Sequence, residues 1–172
     1  YATLAMRWNG TAWTQVPSPN GTTGGNNRIN SVAALSDNDA WAVGSDAPFF
    51  GTARNMAMHW NGSQWSIVAT PNIGTGDNRL NGVVMLASND VWAVGEASNG
   101  VSIMMRWNGT QWNLVTAPQG RLRAITAVSA NDLWAVGQDS NAKPFTIRWN
   151  GTAWTQAAVP VTNNAALVQL DA

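Results

Sequence analysis

All eleven tryptophans of this 172-residue chain lie in two short motifs that repeat along the sequence. Copies of Trp-Asn-Gly-x-x-Trp begin at Trp8, Trp60, Trp107 and Trp149. Copies of Asn-Asp-x-Trp-Ala-Val-Gly begin at Asn38, Asn89 and Asn131. The first motif recurs after 52, 47 and 42 residues, a period typical of four-stranded propeller blades. Because such sheets bury their faces against neighbouring copies, the repeats predict a radial array rather than a single globule.

One repeat, residues 81–116, contains four short apolar runs separated by turn residues, which predicts a four-stranded antiparallel meander. Its strands are named a, b, c and d from the inside of the propeller to the outside. Asn108-Gly109, between strands c and d, predicts a two-residue type I′ turn in which both residues have positive φ. No segment has helical periodicity, so the predicted fold class is an all-β propeller.

The predicted blade boundaries do not coincide with the first and last residues of the sequence. Strands c and d of one blade fall in 1–16, complete blades in 28–69, 79–116 and 121–157, and a further strand a in 163–172. This order leaves one split blade without its strand b. Propellers have about 4–8 blades, so we expect these residues to be part of a larger ring. The remaining strands are expected from further sequence or from a partner chain.

Composition argues against several classes of function. Charged residues make up 10% of the sequence, against about 25% in an average globular protein, and nine basic residues balance nine acidic ones. Lys143 is the single lysine, so no basic run predicts binding to nucleic acid. No apolar run approaches the roughly 20 residues that span a bilayer. With no cysteine and one histidine, the sequence predicts no metal centre, no cofactor and no Ser-His-Asp triad.

The paired motifs resemble a group of bacterial extracellular β-propellers built from repeats of the form NDVWAVG…HWNGTSW. Here they read NDAWAVG…HWNGSQW, NDVWAVG…RWNGTQW and NDLWAVG…RWNGTAW. The resemblance covers nearly the whole chain. It implies a kelch-like or galactose-oxidase-like propeller, often one module of a secreted or cell-surface protein. It implies no particular activity, because the shared residues look structural.

An aspartate precedes strand b in every complete repeat, at Asp39, Asp90 and Asp132. One interpretation is a ring of carboxylates for a metal or for acid–base chemistry. The constant position in each blade favours the other, an Asx-type turn whose carboxylate accepts backbone N–H groups. His59 takes the place that arginine holds before other Trp-Asn-Gly motifs, and is predicted to be a polar surface residue.

The tryptophans are predicted to pack between blades, since each indole buries about 150–250 Å². This structural interpretation covers the strand-b set and the strand-c set: Trp41, Trp92, Trp134, Trp8, Trp60, Trp107 and Trp149. For the outer-strand tryptophans, stacking on a sugar stays open as an alternative: Trp13, Trp65, Trp112 and Trp154. The Asn-Gly-Thr/Ser sequences of the same motif match the N-glycosylation sequon, but a turn role explains them.

Three arginines at the start of strand a are candidate binding residues. Arg28, Arg79 and Arg121 each lie eleven residues before a motif aspartate. Because the innermost strands line the central channel, these arginines predict a positive rim that binds an anion or a partner carboxylate. In the alternative interpretation, loop carbonyls or aromatic rings satisfy them.

The b–c and d–a loops share one end of the blades and vary widely, whereas the turns at the other end are uniform. Varied loops on a rigid scaffold commonly carry recognition. Candidate binding residues in these loops are Phe49, Phe50, Arg54 and Asp77. Asp77 lacks the spaced set of carboxylates that a calcium loop requires.

These observations together favour a non-catalytic extracellular module that binds a protein or glycan partner through the face with the varied loops. Two alternatives stay open. One is a structural subunit of a surface layer or filament. The other is part of a propeller enzyme that acts on glycans with catalytic residues outside this segment.

Overall fold

A computed structural model describes residues 1–22 and 24–159, and within them the chain is all-β apart from one 3₁₀ turn at Ser98–Gly100. The strands of the first two sheets are β1 Ala5–Trp8, β2 Trp13–Val16, β3 Asn26–Ser36, β4 Asp39–Ala47, β5 Arg54–Trp60 and β6 Trp65–Val68. Those of the next two are β7 Asn78–Ala87, β8 Asp90–Ala97, β9 Val101–Trp107, β10 Trp112–Leu114, β11 Arg121–Ser129, β12 Asp132–Gln138, β13 Pro144–Trp149 and β14 Trp154–Ala157.

The strands form one two-stranded and three four-stranded antiparallel sheets, each a meander in chain order. The sheets are β1–β2, β3–β6, β7–β10 and β11–β14, so each complete sheet supplies strands a to d of one blade. The predicted β-propeller fold class is therefore confirmed. The proposed strand a at 163–172 lies outside the described residues, and membership of a larger ring stays a prediction.

Strands a and b pair with the same irregularity in every blade. In the second blade the register shifts between Leu80 and Gly82 and again between Met85 and Ala87. Gly95 lies opposite Leu80, and a Cβ added there would overlap the carbonyl oxygen of Arg79. Gly44 and Gly137 meet the same obstruction in the neighbouring blades. The glycine that ends each Trp-Ala-Val-Gly run is thus required by the close approach of strand a.

The c–d connections differ from the predicted type I′ turn. Trp107 pairs with Trp112, which leaves a loop of four residues, and only Gly109 within it has positive φ, at 95°. The Asn108 Oδ1 accepts hydrogen bonds from the Thr110 N–H at 3.0 Å, the Thr110 hydroxyl at 2.8 Å and the Gln111 N–H at 2.9 Å. The type I′ prediction is wrong because the loop has four residues and the Asn108 side chain, rather than a backbone carbonyl, accepts the Thr110 and Gln111 N–H groups. The Asn108 N–H still donates to the Gln111 carbonyl at 3.3 Å.

The core lies between blades and is built around strand-b tryptophans. Trp41 is 1% exposed and meets Trp107 and Trp112 of the next blade at centroid distances of 4.9 and 5.0 Å. Trp92 repeats this contact one blade further on, against Trp149 at 5.1 Å and Trp154 at 5.7 Å. Each blade therefore buries its hydrophobic surface only when a neighbour stands beside it.

Candidate binding face

The varied loops of the described residues lie together at the b–c and d–a ends of the blades, because strand direction alternates within each meander. We call this end the variable-loop face. It consists of the b–c loops 48–53, 98–100 and 139–143 and the d–a loops 17–25, 69–77 and 115–120, in which residue 23 is not described. The opposite end carries the a–b turns and the four-residue c–d loops, which repeat the same contacts from blade to blade.

Two adjacent phenylalanines project from the first b–c loop. Phe49 is 74% exposed and Phe50 is 96% exposed, and their rings meet edge to face at 5.1 Å. The loop is closed by a hydrogen bond from the Gly51 N–H to the Pro48 carbonyl at 3.2 Å. Two exposed aromatic rings on a turned loop form an apolar projection suited to contact with a partner.

The three arginines of the predicted rim do not share one environment. Arg79 donates from Nη2 to Asp77 Oδ2 at 2.6 Å, and the Arg121 Nε lies 3.8 Å from Glu96 Oε2. Arg28 is exposed and makes no ion pair within the described part of the chain. The rim therefore has one arginine free to meet an anion and two whose charge is partly neutralised.

Arg28 and Arg79 line a cavity of about 550 Å³ between residues 1–4 and the starts of β3 and β7. Ser45 and Asn27 supply further polar groups to its wall. In the first two blades, the arginines of the predicted rim therefore line a polar cavity. Its chemistry suits a carboxylate or another small anion.

Arg54 and Glu96 are two further charged residues, in strands next to the variable-loop face. Arg54 is exposed and opposite Asp46 in the register of β4 and β5. Glu96 accepts a hydrogen bond from Arg123 Nη1 at 2.9 Å and so joins the second blade to the third. Sequence analysis did not single out Glu96 or Arg123, because their positions are not repeated in the other blades.

Asp77, in the d–a loop 69–77, is hydrogen-bonded to the b–c loops 48–53 and 98–100. Its Oδ1 accepts the Ala53 N–H at 2.8 Å, its Oδ2 accepts Arg79, and its backbone carbonyl accepts the Ser98 N–H at 2.8 Å. The Ala53 N–H and then Arg79 hold the pKa of the Asp77 carboxyl below its ordinary value, against a raising effect of burial. Within the described residues, no three His, Cys, Asp or Glu side chains form a group that could hold a metal ion.

The lowered pKa of Asp77 predicts a pH-dependent contribution to stability. A carboxyl group whose pKa is lower in the folded than in the unfolded state stabilises the protein at pH values above its unfolded-state pKa. That stabilisation is lost as the pH falls through the folded-state pKa. We expect the loss of unfolding free energy between pH 7 and pH 3 to be smaller in Asp77→Asn than in the wild type. The difference should stay below about 1 kcal/mol, because the Asp77 side chain is 37% exposed. Urea unfolding at the two pH values measures it, and equal losses in both proteins would contradict the assignment.

The strand-b aspartates lie on the uniform face and form ion pairs, so the prediction of an Asx-type turn is wrong. Asp90 accepts two hydrogen bonds from Arg106 at 2.7 and 2.9 Å, and Asp132 is held in the same way by Arg148. The Arg148 guanidinium lowers the pKa of the Asp132 carboxyl, and Asp90 raises that of Arg106. The signal that sequence reasoning missed was an arginine sixteen residues after each of these aspartates.

The first blade uses histidine in the same arrangement. His59 Nε2 lies 2.8 Å from Asp39 Oδ1, and the Ser88 hydroxyl of the next blade donates to Asp39 Oδ2 at 2.5 Å. His59 is therefore a partner of the strand-b aspartate rather than an isolated polar residue. Each of the three strand-b aspartates is therefore hydrogen-bonded to a side chain of strand c in its own blade.

The candidate stacking tryptophans of the outer strands differ in exposure: Trp154 is 6% exposed and buried between blades, whereas Trp13 is 64% exposed. Trp112 is 5% exposed and its ring meets Trp41 edge-on at 88°, so it is buried between blades and the sugar-stacking interpretation is withdrawn for it. Trp65 is half-buried and packs on Trp60 at 5.7 Å. The difference arises because Trp112 has a strand-b tryptophan beside it, whereas Trp65 borders the two-stranded sheet.

In the described residues, no helix has the length and apolar character needed to cross a membrane. No family model matches the chain, and no curated protein matches it.

Two solved structures share the propeller fold. The structure of YCF48 bound to D1 peptide has a TM-score of 0.53 and 20% identity, and the match covers 74% of this chain and 38% of that one. A fucose lectin from Kordia zhangzhouensis in complex with methyl-fucoside has a TM-score of 0.52 and 10% identity, over 75% of this chain and 97% of that one. At these identities the likeness establishes the fold alone.

Proposed function

We propose that this chain is a non-catalytic binding module of a secreted or cell-surface protein and recognises a protein or glycan partner through the variable-loop face. One observation carries the proposal. Phe49 and Phe50 are large apolar side chains that the fold leaves 74% and 96% exposed. Exposed aromatic groups that gain burial on association supply much of the free energy at binding interfaces.

The neighbouring polar cavity supports the same assignment. Arg28 and Arg79 both line the polar cavity between residues 1–4 and the starts of β3 and β7. Guanidinium groups fix the orientation of a carboxylate through paired hydrogen bonds, while aromatic groups add contact area. Propellers are used for both proposed kinds of partner, since one structural neighbour is bound to a peptide and the other to a methyl-fucoside.

Screening on arrays of immobilised glycans and peptides tests the proposal. For a ligand found in this way, we expect the double variant Phe49→Ser/Phe50→Ser to bind about tenfold or more weakly, because aromatic anchors typically contribute 2 kcal/mol or more. The matched control is Val128→Ser, which removes an apolar side chain that is 65% exposed near the opposite end of a blade. Equal binding by the phenylalanine variant, with loss in the Val128 variant, would place recognition on the uniform face instead.

We propose a structural subunit as the second candidate, on a different observation. Leu4, Met6, Trp8 and Trp13, in and just before the two-stranded sheet, are 48–67% exposed. Exposed apolar residues beside an open sheet edge favour assembly with further strands.

A further inference from the structure

The complete blades show what a strand b contributes to its surroundings. Trp92 of β8 lies opposite Arg106 of β9, and the guanidinium carbon of Arg106 lies 4.9 Å from the centroid of the Trp92 ring. Asp90, two residues earlier, forms the ion pair with the same arginine. The Trp92 ring then packs on Trp149 and Trp154 of the next blade. Strand b therefore forms an ion pair with an arginine of its own sheet and packs its tryptophan against a tryptophan pair of the next sheet.

The two-stranded sheet and the blade beside it contain the same groups that a strand b contacts in the complete blades. Met6, Arg7 and Trp8 of β1 repeat the residues Met-Arg-Trp that end β9, and Trp60 and Trp65 form the tryptophan pair of the next blade. Arg7 is exposed and makes no ion pair within the described residues. Its guanidinium carbon instead lies 5.8 Å from the centroid of the Trp60 ring, across the space where a strand-b tryptophan stands in the other blades.

These groups surround a cavity of about 450 Å³ between the two-stranded sheet and the first complete blade. Its wall includes Met6, Trp13 and Val32, which are 48%, 64% and 62% exposed. Within the described residues β1 pairs with β2 alone, so the backbone groups along its other edge are open to a further strand. The site combines a free sheet edge, an unpaired arginine and an apolar cavity.

We propose that this site binds an extended strand of the form Asn-Asp-x-Trp-Ala-Val-Gly, supplied by a further repeat outside residues 1–172. By the register of β8 and β9, the tryptophan of that strand lies opposite Arg7, the residue before it opposite Trp8, and the alanine opposite Met6. Its aspartate pairs with Arg7 and its indole enters the cavity against Trp60 and Trp65. The occupant is not a second copy, because all three such strands of this chain are central strands of their own blades. The proposal is independent of the variable-loop face.

A synthetic peptide with the sequence of residues 87–97 tests the proposal. We expect the fluorescein-labelled peptide to bind the chain saturably with a stoichiometry of one, measured by fluorescence anisotropy. Alanine in place of the peptide tryptophan should weaken binding about 100-fold or more, because a large buried ring is removed. Asparagine in place of its aspartate should weaken binding about three- to fivefold, as for a partly exposed ion pair.

Two arginine variants locate the site. Arg7→Gln should bind the peptide about three- to fivefold more weakly and lose the discrimination between aspartate and asparagine peptides. Arg148→Gln, whose aspartate partner Asp132 belongs to the chain itself, should bind like the wild type. Circular dichroism checks that both variants fold.

Four results would overturn the proposal. The first is the absence of saturable binding, and the second is equal binding of the tryptophan and alanine peptides. The third is self-association of the chain that Trp13→Ser abolishes, since a second copy would then cover the cavity. Equal weakening by both arginine variants would also contradict it, because the peptide would then be exchanging with internal strands.

Discussion

Replacement of Trp92 by alanine is expected to lower the free energy of unfolding by about 3–5 kcal/mol, the usual cost of removing a fully buried large aromatic residue. Trp92 is 1% exposed and contacts Trp149, Trp154 and the Arg106 guanidinium. Its removal leaves a cavity that two blades share. Chemical denaturation followed by circular dichroism measures the change.

Trp13→Ala is the matched control for this prediction. Trp13 has the same side chain but is 64% exposed, so its removal should cost less than about 1 kcal/mol. Equal destabilisation by the two substitutions would show that burial between blades is not the source of stability. Because each blade contacts mainly its neighbours, the Trp92 variant should also unfold less cooperatively, with the second and third blades separating first.

Replacement of Gly95 by alanine is expected to destabilise the chain by about 3 kcal/mol or more, although it adds a single methyl group. The new Cβ would overlap the Arg79 carbonyl oxygen, a backbone atom that cannot move without disturbing the pairing of β7 and β8. The same denaturation experiment measures the effect. The variant is also expected to weaken the contact between the first and second blades, since Leu80 beside this site is fully buried in the core that those two blades share.

Gly74→Ala is the control for the glycine prediction. Gly74 has a φ of 63° and no atom within 4 Å of an added Cβ, so only backbone strain of about 1 kcal/mol is expected. A loss in Gly95→Ala no greater than in this control would mean that strands a and b can separate locally, and the close approach would not be the reason for glycine.

Sequence reasoning reached the four-stranded meanders because the period of the tryptophan motifs and the alternation within each repeat are local signals. It did not reach the partners of Asp90 and Asp132, since an ion pair across two strands depends on register. Asp90 lies in β8 and Arg106 in β9, and the register that brings them together places Trp92 opposite Arg106. The b–c loop between such strands differs in length from blade to blade, so the sequence did not predict this register.

The sequence predicted which residues belong to the candidate site but not which of them contact one another. Phe49 and Phe50 were recognised as apolar residues in a loop, and the structure adds their exposure. The arginines of strand a were expected to act as one rim, yet Asp77 and Glu96 pair with Arg79 and Arg121 and leave Arg28 unpaired among the described residues. Asp77 lies in a d–a loop and Glu96 in β8, so no common spacing in the sequence predicted these pairs.

The sequence by itself determined that this chain forms repeated all-β blades, because each repeat carries its own strands, turns and tryptophans. Only the tertiary structure decided which tryptophans are buried: Trp112 lies beside a strand-b tryptophan, whereas Trp13 lies in the open two-stranded sheet and Trp65 borders it. The physical reason is that an identical motif gains or loses its burial with the neighbouring blade, and a neighbour is a property of the assembly of sheets rather than of any one repeat.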